Sequence, residues 1–326
     1  MKFRHVLLTA ICIGSTPFHA FAADPAKDAF PNKSIKLVVG FAAGGSADTV
    51  ARIMAPRMAE MLKQSIVIEN RAGAGGNIAT EMLTKAPADG HTIMLGTIGS
   101  LAVNQHLKKF SYDPVSDTAA LSMAVVFTNV LVVNAKSEVR SLADYVREAK
   151  KERSTQSFGS SGVGGSGHLA GELLKSVAGL QNEHIAYRGG APAMSDLVGG
   201  VLPSIFSSPT DCLQHIAAGT LRALATTGTK RLDALPNVPT IAESGYPGFE
   251  AINWYAFAAP KATPPDVVRE LNAAITTTLK DPGVIASLRK LGLDPTPSTP
   301  DEATKFIRAE SEKWGGLVKK IGLKVE

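Results

Sequence analysis

Cysteine is nearly absent from this sequence, and long apolar runs and basic clusters are missing as well. Of 326 residues, two are cysteines, Cys12 and Cys212. Beyond the N-terminal segment no stretch approaches 18 consecutive apolar residues, so the sequence predicts no later membrane-spanning helix. The net charge is +5, but Lys and Arg are scattered and form no stripe interleaved with aromatic residues. Nucleic-acid binding is therefore not expected.

The motifs of several enzyme classes are also incomplete. Residues 164–168 resemble a nucleophile elbow, but His168 stands where the last glycine would be. The glycine-rich turns lack the lysine of a P-loop, and the GxGxxG pattern at 162–167 lacks an acidic partner about 20 residues later. The seven histidines have no metal-ligand spacing. We therefore expect no enzyme, no cofactor and no metal; a hydrolase that uses Ser166 and His168 is the alternative.

The N-terminus has the pattern of a secretory signal peptide. A positively charged start precedes a short apolar stretch at 6–18, and small residues follow at the positions that a signal peptidase reads. We expect residues 1–22 to be removed, which leaves Cys212 as the single cysteine and excludes an internal disulfide. Export without disulfides is typical of a bacterial periplasm. Cys12 leaves a lipid-anchored form as an alternative.

One pattern occurs twice: an apolar strand enters a glycine- and serine-rich turn that opens directly into a helix. The copies lie at residues 35–48 and 156–168. Such turns present backbone N–H groups at the positive end of a helix, which favours anion binding. Neither turn contains Lys or Arg. Two uncharged amide sites, one in each half of the chain, predict a protein that closes on a small carboxylate.

Strand-like and helix-like runs alternate along the whole chain, which predicts an α/β fold with parallel sheets and helices on both faces. Two long apolar runs, 123–133 and 249–259, bracket one complete α/β block and are interpreted as strands that cross a hinge. We therefore predict two lobes. The first comprises residues 30–126 and 257–326, its C-terminal part helical without a further strand, and the second comprises residues 127–256.

Seven motifs resemble those of a known family, in the same order, from about residue 30 to the C-terminus. They lie at 39–52, 69–77, 87–92, 162–168, 187–189, 221–225 and 235–240. Together they resemble the Bug-type solute-binding proteins of tripartite tricarboxylate transporters.

The resemblance implies a periplasmic binding protein of the type 2, Venus-flytrap fold. Such a protein clamps a small organic acid with backbone amides, hydroxyl groups and ordered water, and delivers it to a membrane permease; we expect a monomer. Many relatives carry an acidic residue just after the phenylalanine that matches Phe206, where this chain has Ser207 and Ser208. This neutral position favours a dicarboxylate or an aromatic acid over an amino acid. A sensor partner that presents ligand to a membrane receptor is a further alternative.

The candidate ligand-binding residues are glycines that let an anion approach the backbone and side chains that donate hydrogen bonds. Ser100 is equally compatible with capping, and His168 with a structural or gating role. Asp48 would repel an anion and is assigned to the first turn of its helix, whereas Asn70-Arg71 is assigned to bracing the lobe. Trp254-Tyr255 is compatible with either a cleft wall or the core. The candidates are Phe41, Ala43, Gly44, Gly45, Ser46, Ser100, Ser160, Ser161, Gly164, Gly165, Ser166, Gly167, His168, Ser207 and Ser208.

Overall fold

A computed structural model of the chain describes residues 30–151 and 156–323. The predicted signal peptide lies outside the described residues. The strands are β1 Ile35–Val39, β2 Ile66–Asn70, β3 Thr92–Thr97, β4 Thr118–Thr128, β5 Val130–Asn134, β6 Phe158–Ser160, β7 His184–Ala186, β8 Ser204–Ser207, β9 Leu221–Thr226, β10 Ile252–Pro260 and β11 Asp294–Pro295.

The helices follow the strands in the predicted alternation. A short π-helical turn, Gly99–Val103, precedes the third of them. Within the described ranges, every helix is too short or too polar to cross a membrane. The helices are α1 Ser46–Leu62, α2 Asn77–Thr84, α3 Asn104–Leu107, α4 Leu142–Ala149, α5 Ser166–Ala178, α6 Gly190–Val198, α7 Pro209–Ala217, α8 Pro265–Leu279, α9 Pro282–Lys290 and α10 Pro300–Ile321.

The strands form two sheets, and both are mixed rather than parallel as the alternation predicted. The first has the order β11-β4-β10-β3-β1-β2 and the second β7-β6-β8-β5-β9. In the first sheet β10 is antiparallel to both of its neighbours, and in the second β5 is. Each is the first strand of its sheet after the chain has left the other sheet. Each of them lies between two strands of its sheet and runs antiparallel to both. The local alternation of strands and helices does not indicate in which direction a strand runs within its sheet.

The chain leaves the first sheet for the second at a single residue, Asn129, which separates β4 from β5. It returns to the first sheet before β10. Both passages between the sheets thus lie a few residues away from the predicted lobe boundaries, which remain a prediction. Thr227 joins the two crossings. Its N–H donates to the Asn129 carbonyl at 2.9 Å, and its hydroxyl donates to the Ala251 carbonyl at 2.7 Å. The two connections therefore form one hydrogen-bonded hinge.

The C-terminal part contains one short strand that the sequence analysis did not predict. β11 pairs antiparallel with β4 through Asp294 and Pro295, and it extends the edge of the first sheet. Two residues, one of them proline, give no alternating pattern to recognise. The three helices α8, α9 and α10 otherwise pack back onto the first sheet and onto α1.

A shared carboxylate joins the returning β10 to the last helix. Trp254 and Trp314 are fully buried, and both indole N–H groups donate to the same oxygen of Glu310 at 3.0 Å. Trp254 therefore belongs to the core. The next residue, Tyr255, points to the opposite face of the strand, as strand alternation requires.

We expect Glu310→Ala to lower the free energy of unfolding by about 2–6 kcal/mol, because two buried indole N–H groups lose their acceptor at about 1–3 kcal/mol each. Urea unfolding followed by tryptophan fluorescence measures the loss. Glu312→Ala, on the exposed face of the same helix, is the matched control. Equal stability of the two variants would show that the shared carboxylate contributes nothing.

Candidate functional site

The turn between β1 and α1 is fixed from behind by Asp48. This buried carboxylate accepts hydrogen bonds from the Gly44 N–H at 2.9 Å, from Arg52 Nε at 2.8 Å and from Asn70 Nδ2 at 3.0 Å. Asn70 Nδ2 also donates to the Phe41 carbonyl. Burial raises the pKa of Asp48, but these hydrogen bonds outweigh it and hold the pKa below its ordinary value. The bracing role predicted for Asn70 is confirmed.

The turn between β6 and α5 is braced by two stacked histidines. The rings of His168 and His184 lie 3.9 Å apart at 20°. His168 Nδ1 accepts the Gly164 N–H at 3.0 Å, and His184 Nε2 lies 2.7 Å from Ser160 Oγ. Burial lowers the pKa of His168 to about 4 and that of His184 to about 2. Both rings are therefore neutral near pH 7 and supply hydrogen bonds rather than charge.

The two turns meet at one cavity between the sheets, with a volume of about 30 Å³. The predicted site residues in its wall are Phe41, Gly45, Ser46, Ser161, Gly165, Ser166, Gly167, Ser207 and Ser208. The other wall residues are Ala47, Thr97, Ile98, Asn129, Gly190, Ile205, Phe206, Asp211, Asn253 and Tyr255.

The remaining predicted site residues lie outside this wall: Ala43, Gly44, Ser100, Ser160, Gly164 and His168. Ser100 bonds both the N–H and the carbonyl of Thr97, so its hydroxyl group is engaged with the backbone at the end of β3. Ser160 and His168 have the internal partners described above, which favours a bracing role for both. The sequence pattern did not reveal this, because it could not tell which side of each turn faces the cavity.

Four helices begin at the cavity wall. Their first residues or caps are Gly45 for α1, Gly165 for α5, Gly190 for α6 and Ser208 for α7. None of these four starts has a side-chain cap. Uncapped N–H groups at helix starts carry a partial positive charge and need acceptors. The wall is therefore suited to an anion, although the described wall residues include no Lys or Arg.

The sequence analysis missed four polar wall residues, Thr97, Asn129, Asp211 and Asn253. Asn129 is the hinge residue, and its side chain is 1% exposed. Asp211 lies in the first turn of α7, and burial raises its pKa to about 7, although the nearby Ser208 hydroxyl group and Ser46 N–H act to lower it. The polar interruption of the apolar run 123–133 was an available signal for Asn129. An acidic residue in the first turn of a helix is common, so Asp211 gave none.

The two rims of the cavity are in direct contact. Ser46 Oγ donates to Thr210 Oγ1 at 3.3 Å, and the Ala42 N–H donates to the Arg188 carbonyl at 3.3 Å. A Cβ atom added at Gly75 would lie 2.2 Å from the Val163 carbonyl oxygen, so this contact requires glycine. The cavity as it stands has room for about two water molecules. An organic ligand must therefore enter while the rims are farther apart.

Two sheets joined by a short hinge around one cavity define a two-lobed binding-protein fold, and comparisons with known proteins identify the family. The model of the tripartite tricarboxylate transporter family receptor, TctC, matches residues 50–323. The chain belongs to this family, as its motifs predicted.

The relatives cover nearly the whole chain. Protein BugT of Bordetella pertussis is 36% identical over 94% of both chains. The solved structure of the periplasmic binding protein BugD is 32% identical, with a TM-score of 0.87 over 91% of this chain and 100% of that chain. A protein of R. palustris, Rpa4515, solved with adipate, is 34% identical, with a TM-score of 0.86 over the same shares. The predicted two-lobed α/β fold is confirmed.

Asp48→Asn should lower the free energy of unfolding by about 1–3 kcal/mol, because hydrogen bonds to a charged acceptor are replaced by weaker ones or lost. A lowered pKa stabilises the fold above the unfolded-state pKa and loses this effect as the pH falls. The difference from the wild type should thus be full above about pH 5 and shrink in acid. Denaturant titrations across pH measure it. Asp266→Asn, in the exposed first turn of α8, is the control; a pH-independent difference would contradict the assignment.

Proposed function

We propose that this chain is a periplasmic solute-binding protein that captures a small organic carboxylate between its lobes. The observation that carries the proposal is the convergence of four uncapped helix starts on one cavity. Their N–H groups offer donors to a carboxylate without a cationic side chain, together with the hydroxyl group of Ser161. The hydroxyl groups of Ser46 and Ser166 join them once they turn from their present acceptors, Thr210 and Asn129, to the ligand. The adipate in Rpa4515 is a carboxylate of this kind.

Closure of the lobes completes the binding site. The first lobe contributes the start of α1, and the second contributes the starts of α5, α6 and α7. Bringing these together excludes water, and hydrogen bonds to the anion are stronger in the less polar surroundings. The closed protein is then the form that is delivered to the permease of a tripartite tricarboxylate-type transporter. We propose that it acts as a monomer, and that presentation to a membrane sensor is the alternative use of the same closed form.

An acidic side chain in the wall weakens the preference for dicarboxylates or aromatic acids over amino acids. This preference was based on the neutral Ser207 and Ser208, and both side chains are in the wall. Asp211 adds a carboxyl group to that wall, only a few residues further along. The absence of an acidic residue at position 207 therefore no longer argues against a ligand that carries an ammonium group.

The geometry gives little support to the hydrolase alternative. Ser166 Oγ donates to Asn129 Oδ1 at 3.3 Å, whereas His168 Nδ1 is occupied by the Gly164 N–H. Serine–histidine contacts are made by Ser160 with His184 and by Ser311 with His106, and both serines are buried outside the cavity wall. A nucleophile and its base would have to share a hydrogen bond at the ligand.

Ser166→Ala should weaken ligand binding by about 1–3 kcal/mol, the usual loss when a buried charged group forfeits one donor. Gly165→Val should weaken it more, because the side chain obstructs the approach to the backbone. Calorimetric titration, with organic acids first identified by thermal stabilisation, measures both effects. Melting temperatures of the unliganded variants serve as the folding control. Wild-type affinity in both variants would remove the start of α5 from the site.

A further inference from the structure

Asp211 reaches across the cleft toward the opposite lobe. Asp211 lies on α7, which follows a strand of the second sheet. The carboxylate of Asp211 is nevertheless stabilised by the Ser46 N–H at the start of α1, which follows a strand of the first sheet. A Cβ atom added at Gly190 would lie 1.9 Å from Asp211 Oδ2, so the carboxylate also lies against the start of α6. The protein's own anion therefore occupies the side of the cavity where α1 and α6 begin.

The charge balance of the cavity restricts what can bind beside this carboxylate. Among the wall residues within 30–151 and 156–323, Asp211 is the one acidic side chain, and Lys, Arg and His are absent. The titratable side chains that interact with Asp211 are Tyr255 on β10 and Cys212 on α7, and burial raises the pKa of both. A ligand with carboxylates alone would bring a second negative charge into the closed cavity without a cation to balance it. Buried charges without partners are costly.

A free donor lies in the wall beside the start of α5. Asn129 Oδ1 accepts from Ser166 Oγ, while Asn129 Nδ2 is buried without a hydrogen-bond partner. Both residues are in the wall, next to the uncapped start of α5. An unpaired buried N–H group is expected to have an acceptor in the functional state. This side offers amide and hydroxyl donors to an anion, whereas the Asp211 side offers an acceptor.

We propose that the ligand carries an ammonium group as well as a carboxylate, that is, an amino acid, and that Asp211 is the residue that selects it. The start of α5, Ser166 and Asn129 hold the carboxylate, and Asp211 accepts hydrogen bonds from the ammonium group. This inference rests on the proposed capture of a carboxylate and names its class. It reverses the preference drawn from Ser207, because the acidic partner stands four residues later, in the first turn of α7.

The first test compares matched ligand pairs on the wild-type protein by isothermal titration calorimetry. Each proteinogenic amino acid is paired with its deamino acid, for example aspartate with succinate and alanine with propionate. We expect at least one amino acid to bind ten times more tightly than its partner, or better. If deamino acids bind as tightly or more tightly throughout, this inference is wrong and carboxylate capture stands. If no member of any pair binds but another organic acid from the thermal-stabilisation screen does, this inference is wrong and carboxylate capture stands; if no organic acid binds at all, both are wrong.

The second test replaces the acceptor. Asp211→Asn keeps the size of the side chain, so affinity for the amino acid should fall tenfold or more while the deamino acid binds as well or better. Asp266→Asn removes a negative charge at an exposed position in the first turn of α8 and should change neither affinity. Unliganded melting temperatures identify a folding defect, and the ligand-pair comparison on the wild type decides the question without any variant. Equal losses for both members of a pair would overturn the selecting role.

Affinity should change with pH in opposite directions for the two ligand classes. An ammonium group binds ionised Asp211 best, so amino-acid affinity should rise by up to about tenfold from about pH 6 to pH 8, through the carboxyl group's pKa of about 7. A ligand with carboxylates alone binds better to the protonated form, so its affinity should fall over the same interval. Asp211→Asn should remove both slopes. A falling affinity for every bound amino acid would overturn the proposal.

Discussion

Unsatisfied backbone N–H groups are the constraint on which the rest of this structure depends. Four helices start at one cavity without a side-chain cap, although orphan donors at helix starts normally find an acceptor in the protein or in water. Asp211 lies against the starts of α1 and α6, so the lobes can exclude water from this cavity only if something else accepts the hydrogen bonds that remain. Closure and anion capture are therefore two aspects of the same requirement, and the hinge at Asn129 places its own amide in the same wall.

The turns that carry these donors are held by residues that do not enter the cavity. Asp48 and Asn70 fix the turn before α1, and the stacked His168 and His184 fix the turn before α5. Asp48 and His168 are buried, and neither histidine is charged near pH 7. The turns thus keep their shape while their front faces remain free for a ligand. Residues that resemble ligand contacts in the sequence can instead be the supports behind them.

Much of the fold could be predicted from the sequence, because alternating apolar runs and glycine-rich turns are local signals. Both strand–turn–helix units have the expected order, and the chain belongs to the family that its motifs indicated. Direction within a sheet is a long-range property, which is why β5 and β10 were not recognised as antiparallel. Asp211 was missed for a related reason: it becomes part of the site only when its helix start is brought against Ser46 from the other lobe. Residues that meet only through the folding of the two lobes have no characteristic spacing in the sequence.

The rims of the cleft meet largely through main-chain atoms. Ala42 bonds Arg188 through backbone groups, and Gly75 leaves space for the Val163 carbonyl where any side chain would collide. At these two points the fit of the rims depends on backbone positions, and at Gly75 on the absence of a side chain, whereas the cavity wall is lined by side chains that differ in polarity and charge. Divergence can therefore proceed at wall positions without disturbing these backbone contacts. A scaffold of this kind can change its ligand by few substitutions, and re-engineering should begin at positions such as 207 and 211 rather than at the rims.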